Sequence, residues 1–270
     1  MSGSVIGGLH HVEHVMGMAV SIDVRDDIDP VAIDEVVAWL HHVDDVFSTY
    51  KDDSEVSRFG RREIPVESLS DELQGVLDLC DAVEIDTDGA FGVHTQAPNG
   101  TNFEPSGLVK GWAVQKSALL LEARGAANFT ITAGGDLVLR GRPSPNTLWR
   151  VGIRHPEQTD QLAAVLHAEG PLAVATSALY ERGQHIVDPR TDEPATSLAS
   201  VTLIGPDLTF VDAYATAVFV MGLEEGLAWL DARHGDYGAF IITQDHLAYS
   251  TPVFDRYRSH PESPSRDELR

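Results

Sequence analysis

Residues 211–217 read Val-Asp-Ala-Tyr-Ala-Thr-Ala and open a run that is apolar except for Asp212 and Thr216. The run follows a strand-like segment and a Gly-Pro-Asp turn, and we expect it to be a helix that stops at Gly222. In a helix, residues four apart share a face, so this carboxylate and this hydroxyl would be neighbours. Two such oxygen groups suit a hard cation such as Mg²⁺. The alternative is structural: the acid favours the helix dipole and the threonine bonds to its own backbone.

The chain has 270 residues and a formal charge of −23, from 42 acidic and 19 basic residues. So acidic a surface repels phosphodiester backbones and anionic lipids, which argues against nucleic acid and membrane surfaces as partners. Residues 1–15 show no signal-peptide pattern, and no apolar run approaches the ~20 residues of a membrane span. The single cysteine, Cys80, excludes an internal disulfide and fits a reducing compartment. These features predict a soluble, cytoplasmic protein without membrane insertion.

Helix and strand signals come in blocks along the chain. The spacing of apolar residues predicts helices over residues 30–50, 70–85, 107–123, 210–221 and 223–233. Strand signals cover residues 16–24, most of 129–204, 239–243 and 247–250. We expect the polar segments 51–66 and 86–105 to be loops, and His10 to His14 to be an exposed, frayed start. This order predicts an α+β fold with mainly antiparallel or mixed sheets, in one domain over residues 1–257 with a polar tail over 258–270.

The segment from Glu104 to Gly111 leads from the long polar stretch directly into the third predicted helix. Unpaired N–H groups and the positive end of the helix dipole favour anions at such a start. Lys110 lies one turn inside, where its ammonium group could act as a point charge on a phosphate. The alternative is an ordinary helix start with a solvated lysine. The placement is suggestive because Lys51 and Lys116 are the only other lysines.

Two further segments carry polar groups next to predicted strands. His185 precedes Asp188, so it could be a general base that a carboxylate orients, although a histidine beside a strand is more often structural. Gly134 and Gly135 interrupt a strand just before Asp136. The two glycines indicate either a bulge or a place where the backbone closely approaches a ligand.

Together these segments resemble one family, the ApbE-type FAD:protein FMN transferases, over roughly residues 16–222. The motifs that carry the resemblance are Met16-Gly17, Tyr50, Asp53 to Phe59, Gly89-Ala90-Phe91, Pro105 to Gly111, Gly134-Gly135-Asp136, Trp149 to Ile153, His185 to Thr191 and Asp212 to Thr216. The resemblance implies a fold with two related units of the T-fold kind. It also implies an enzyme that cleaves FAD, attaches FMN through a phosphoester bond to a threonine of an acceptor flavoprotein, and releases AMP.

The resemblance also implies roles for individual residues. A magnesium site falls on the backbone carbonyl of Gly107 and on Asp212 and Thr216, with Asp212 essential for catalysis. His185 matches the residue that activates the acceptor hydroxyl. The implied cofactor contacts are Met16, Tyr50, Ala90, Phe91, Glu104, Lys110 and Ile186. Acceptors of the family often carry the target threonine in a short Ser/Thr-Gly-Ala-Thr-like segment.

Two alternative functions use the same residues. A magnesium-dependent FAD pyrophosphatase would replace the acceptor threonine with water, and an inactive flavin-binding protein would have lost catalysis. The chain also departs from the family pattern at several positions. Gly92 and Glu104 each stand where an aspartate is common, Met18 stands where a threonine is frequent, and Asp192 replaces a glycine. These departures bear on the pose of the flavin more than on the chemistry.

Overall fold

The fold is built around a single eight-stranded sheet in which every neighbouring pair of strands is antiparallel. The structure is a computed structural model and describes residues 8–97, 100–158, 160–179, 186–233 and 235–258. The strands of the large sheet are, in spatial order, β1 (Leu9–Val15), β2 (Met18–Val24), β5 (Phe129–Ala133), β6 (Asp136–Arg140), β9 (Leu172–Ala178), β12 (Leu198–Gly205), β13 (Gly238–Thr243) and β14 (Ala248–Ser250). Three hairpins lie outside it: β3 (His94–Ala97) with β4 (Gly100–Phe103), β7 (Trp149–Arg154) with β8 (Leu162–Ala168), and β10 (Val187–Asp188) with β11 (Glu193–Pro194).

The described part of the chain contains six α-helices. Their bounds are α1 (Val31–Phe47), α2 (Glu55–Gly60), α3 (Asp71–Asp86), α4 (Ser106–Ala123), α5 (Leu208–Asp231) and α6 (Pro252–Asp255). The two longest helices, α4 and α5, cover one face of this sheet. The longest helix, α5, contains Gly222 with φ 78° and ψ −172°, so its regular geometry breaks at the residue where the sequence predicts an end. Glycine adopts this left-handed conformation at little cost.

The central strands are buried on both faces. All eight residues of β12 and all six of β13 are buried. One face packs on α4 and α5, and the other packs on the β7–β8 hairpin and on Phe254 of α6. By contrast, β2 alternates between buried and half-buried residues, with Val20, Ile22 and Val24 facing the core. Burial on both faces explains why β13 is almost entirely apolar and why even the polar Ser200 and Thr202 of β12 are buried.

The predicted α+β class with antiparallel sheets is confirmed, and three local expectations are wrong. The segment 51–66, expected to be a loop, contains α2, whose first turn is capped because the Ser54 side chain accepts a hydrogen bond from the Ser57 N–H. The segment 86–105, also expected to be a loop, contains the β3–β4 hairpin. The expected frayed start is strand β1, in which Glu13 accepts hydrogen bonds from His11 and His41. The single-domain boundary and the two related units stay predictions.

Candidate functional site

Two tight turns lie at the same end of the large sheet. The β1–β2 turn consists of Met16 (φ 54°) and Gly17 (φ 71°), and the β5–β6 turn consists of Gly134 (φ 56°) and Gly135 (φ 94°). Because Val20 near the start of β2 pairs with Ala133 at the end of β5, both turns lie at the same end of the sheet. Left-handed backbone at both central residues is the geometry of a two-residue hairpin. The paired glycines therefore form a hairpin turn and not a bulge.

Asp212 is a buried carboxylate on α5 that faces α4. It is 5% exposed, and its Oδ2 accepts a hydrogen bond from the Gly111 backbone N–H at 3.1 Å. The two helices can approach this closely because Gly111 has no side chain. A Cβ there would lie 2.5 Å from the Leu208 carbonyl oxygen and 2.9 Å from Asp212 Cβ. In a regular helix the Gly111 N–H is also the expected partner of the Gly107 carbonyl.

Lys110 joins Asp212 to a second buried acid. Its ammonium group donates a hydrogen bond to Asp136 Oδ2 and lies 3.4 Å from Asp212 Oδ1. Asp136, at the start of β6, is 1% exposed and also accepts a hydrogen bond from the Thr176 backbone N–H at 2.9 Å. The Lys110 side chain keeps 24% of its surface exposed. The alternative of a solvated helix lysine is therefore wrong, because two buried carboxylates bind this ammonium group.

The cluster of Lys110, Asp136 and Asp212 contains two acidic groups and one basic group. When both acids are ionised, two carboxylates face one ammonium group, and one negative charge is left uncompensated. Burial raises the pKa of the Asp212 carboxyl well above its usual range; Lys110 opposes this shift and Asp136 adds to it. Burial acts to lower the pKa of Lys110, but attraction to the two acids outweighs it and keeps that pKa above its usual value. A buried cluster of this kind attracts a cation.

Thr216 lies one turn after Asp212, as the spacing predicts. Its Oγ1 is 3.1 Å from Ser177 Oγ on β9 and lies 3.4 Å from the Asp212 carbonyl oxygen. The bond to its own helix backbone matches the structural alternative, and the contact with Ser177 directs the hydroxyl towards the sheet. Ser177 was not a candidate from the sequence. Its position opposite α5 depends on the packing of β9 against that helix.

The start of α4 collects another group of candidate residues. Glu104 Oε1 accepts a hydrogen bond from the Ser106 N–H at 3.3 Å, and its Oε2 accepts one from Thr49 Oγ1 at 3.2 Å. Thr49 precedes Tyr50, a residue that is almost fully exposed at 92%. Glu104, which stands where the family commonly has an aspartate, therefore places its carboxylate at the first turn of α4. An exposed tyrosine beside that turn is free to contact a bound ligand.

The remaining described candidates are apolar and buried. Ala90, Phe91 and Ile186 are all buried, so a ligand near them would meet mainly backbone groups. The Phe91 ring explains the absence of a side chain at Gly107, where a Cβ would lie 3.3 Å from Phe91 Cε2. The proposed base His185 lies outside the described residues. Asp188, expected to orient it, accepts hydrogen bonds from the Arg190 backbone and guanidinium group.

The groups around Asp212 that can bind a metal ion are oxygen donors. Within the described ranges, no three His, Cys, Asp or Glu side chains are grouped so as to hold one. Besides Asp136, whose two oxygens are both hydrogen-bonded, the site contains the Asp212 carboxylate, the Thr216 and Ser177 hydroxyls and the Asp212 backbone carbonyl, all hard donors. This set fits Mg²⁺, which keeps several waters and needs few protein ligands.

Every helix in the described part of the chain is too short or too polar to cross a membrane.

Comparisons with known proteins agree with this fold. A family model described as the ApbE family matches residues 16–99 and 93–241. The FAD:protein FMN transferase of Vibrio cholerae is 26% identical over 96% of this chain and 92% of that relative. The enzyme of the same name from Treponema pallidum is 30% identical over 70% of this chain and 58% of that relative.

Solved structures give the same result for the architecture. The flavin transferase ApbE from Vibrio cholerae has a TM-score of 0.79 at 24% identity, covering 93% of this chain and 99% of that one. The ApbE protein from Thermotoga maritima has a TM-score of 0.81 at 20% identity, covering 94% and 100%. The fold is thus that of the solved ApbE proteins. Because the family model spans most of its length, this chain belongs to the ApbE family.

Proposed function

We propose that this chain is a magnesium-dependent FAD:protein FMN transferase that attaches FMN to a threonine of an acceptor protein and releases AMP. The observation that carries the proposal is the buried Asp212, which has a hydrogen bond from the Gly111 N–H on one oxygen and Lys110 at ion-pair distance from the other. Relatives that match nearly the whole chain are named FAD:protein FMN transferase. Family membership and the geometry of the acid therefore support the same function.

The proposed metal ligands are Asp212, Thr216 and the Gly107 carbonyl. Two buried acids around a single ammonium group support a divalent cation at Asp212, because a cation relieves the repulsion between the acids and favours the ionised form of Asp212. When bound, Mg²⁺ would neutralise charge on the transferred phosphoryl group and on the departing AMP. The hydrogen bond from the Gly111 N–H holds the Asp212 carboxylate in position, so metal binding requires little rearrangement of this side chain.

Binding of FAD requires a local excess of positive charge in a protein whose formal charge is −23. The pyrophosphate of FAD carries about two negative charges at neutral pH. The 24% exposed part of the Lys110 side chain is where a phosphate oxygen could meet the ammonium group. The exposed Tyr50 is available for stacking on an aromatic part of the substrate. Lys110 would then serve both the phosphate and the two acids.

The chemical step would be an attack by the acceptor threonine oxygen on the phosphorus of the FMN half of FAD. A new P–O bond to threonine forms, the P–O bond to AMP breaks, and AMP leaves with the bridging oxygen. The hydroxyl proton passes to a base, for which His185 is our candidate. A threonine hydroxyl is a weak nucleophile, so a base with a pKa near neutrality assists it, typically by about 10²–10⁴-fold.

Mass spectrometry of an acceptor domain distinguishes transfer from hydrolysis. The probe is an FMN-binding domain with a threonine in a Ser/Thr-Gly-Ala-Thr-like segment, incubated with this protein, FAD and Mg²⁺. Transfer predicts a mass gain of FMN minus water, with one AMP released per modified chain. The same domain with that threonine replaced by valine is the control and should stay unmodified. Release of FMN and AMP without a mass gain would instead establish a pyrophosphatase, and no turnover would favour an inactive flavin-binding protein.

A further inference from the structure

Asp136 is a buried carboxylate to which the proposed function assigns no role of its own. It is 1% exposed at the start of β6, immediately after the Gly134–Gly135 turn. Both of its oxygens are bonded: Oδ1 accepts the Thr176 N–H at 2.9 Å and Oδ2 accepts the Lys110 ammonium group. A buried acid with so complete a set of partners is fixed in place. Its contacts thus fix where the lysine charge lies.

The lysine lies unequally between the two acids. It donates a hydrogen bond to Asp136, whereas its Nζ stays 3.4 Å from Asp212 Oδ1. Charge-assisted hydrogen bonds between an ammonium group and a carboxylate are usually about 2.7–2.9 Å long. The other oxygen of Asp212 is bonded to the Gly111 N–H. Asp212 Oδ1 is therefore the oxygen in the cluster with the greatest remaining capacity to bind a cation.

We propose that Asp136 is a positioning residue that holds Lys110 away from Asp212 and so keeps Asp212 Oδ1 available to a divalent cation. Without Asp136, the ammonium group would pair fully with Asp212 and compete with the metal for the same oxygen. The inference rests on the proposed function, because it requires Asp212 to be a metal ligand. It adds Asp136 to the residues that determine metal affinity.

A structural role for the same residue predicts a different result. The buried pair of Lys110 and Asp136 connects α4 to β6, so its loss should lower stability whether or not a metal binds. Stability alone therefore cannot distinguish the two roles, but metal affinity can. Replacing Asp136 by asparagine leaves one acid against one ammonium group. Replacing Lys110 by methionine as well leaves Asp212 with no competing cation.

The test is Mn²⁺ binding without FAD, followed by the electron paramagnetic resonance of free Mn²⁺ and checked by competition with Mg²⁺. Asp136→Asn should weaken binding about ten- to a hundredfold, the range seen when partners of metal ligands are removed. The double variant Asp136→Asn/Lys110→Met should recover affinity to within a few-fold of wild type. Asp78→Asn on the exposed face of α3 removes one charge elsewhere and is the matched control.

Two outcomes would overturn the inference. They are wild-type affinity in Asp136→Asn, and a folded double variant as weak as the single one. If Asp136→Asn does not fold, the double variant decides alone, because the proposal requires it to bind Mn²⁺ like wild type. Failure of the proposed metal site gives a separate signature: Mn²⁺ binding that is absent from the wild type or unchanged by Asp212→Asn.

Discussion

The close approach of α4 and α5 at Gly111 gives a direct prediction for Gly111→Ala. A Cβ at this position would lie 2.5 Å from the Leu208 carbonyl oxygen and 2.9 Å from Asp212 Cβ. Ordinary contacts need roughly 3.5–4 Å, so the helices must separate by about 1 Å. Overpacking of this kind costs about 1–3 kcal/mol, which for a chain of this length lowers Tm by roughly 2–6 °C.

The same change should also reduce activity, although the variant stays folded. It moves the backbone N–H that bonds to Asp212 Oδ2, and a misplacement of about 1 Å in a catalytic group can cost about 10²-fold in rate. Thermal unfolding and the rate of AMP release from FAD measure the two effects. We expect a folded variant with a modestly lower Tm and a turnover reduced on the order of a hundredfold.

Gly75→Ala is the matched control for this experiment. Gly75 also lies inside a helix, α3, but a Cβ there would meet nothing within 4 Å. Alanine is favoured over glycine in an exposed helix by about 0.5–1 kcal/mol, so this variant should be slightly more stable and fully active. If Gly111→Ala behaved like Gly75→Ala in both assays, the close helix contact would not position Asp212.

Three further predictions concern the substrate, the base and a turn. Lys110→Ala should weaken FAD binding roughly ten- to a hundredfold at low salt and less at high salt, while riboflavin, which has no phosphate, should bind with unchanged affinity in calorimetry. Normal FAD affinity of this variant at low salt would exclude the phosphate contact. His185→Ala should lower kcat for FMN transfer more than FAD affinity, with partial rescue at higher pH; equal losses would indicate a structural histidine. Asp192→Gly should raise stability by about 0.5–1 kcal/mol in thermal unfolding, because Asp192 has φ 59°, a conformation that favours glycine; a lower Tm would contradict this.

Patterns within one element were predictable from the sequence. The spacing of Asp212 and Thr216 places them one turn apart, and Gly222 breaks the helix where the apolar run is interrupted. Local periodicity and turn chemistry determine these features, so they can be read without knowledge of the rest of the chain.

Contacts between distant segments were not predictable in the same way. The Gly111–Asp212 hydrogen bond joins residues 101 positions apart, and the Lys110–Asp136 bond depends on the packing of a helix on a strand. The sequence indicated a lysine near phosphate, but not that two buried acids would bind it. The segment 86–105 was expected to be a loop for a related reason: its polar, glycine-containing composition conceals the β3–β4 hairpin, whose pairing fixes it as strand.

The most direct test of the account is FMN transfer measured against Mg²⁺ concentration for the wild type and for Asp212→Asn. This substitution keeps the shape of the side chain and removes the only charged ligand that we propose for the metal. We expect the acceptor domain to gain FMN minus water with the wild type in a Mg²⁺-dependent manner. Asp212→Asn should give no modification at low Mg²⁺ and should remain folded. Transfer by Asp212→Asn at the wild-type rate under limiting Mg²⁺ would contradict the assignment of Asp212 as the metal ligand.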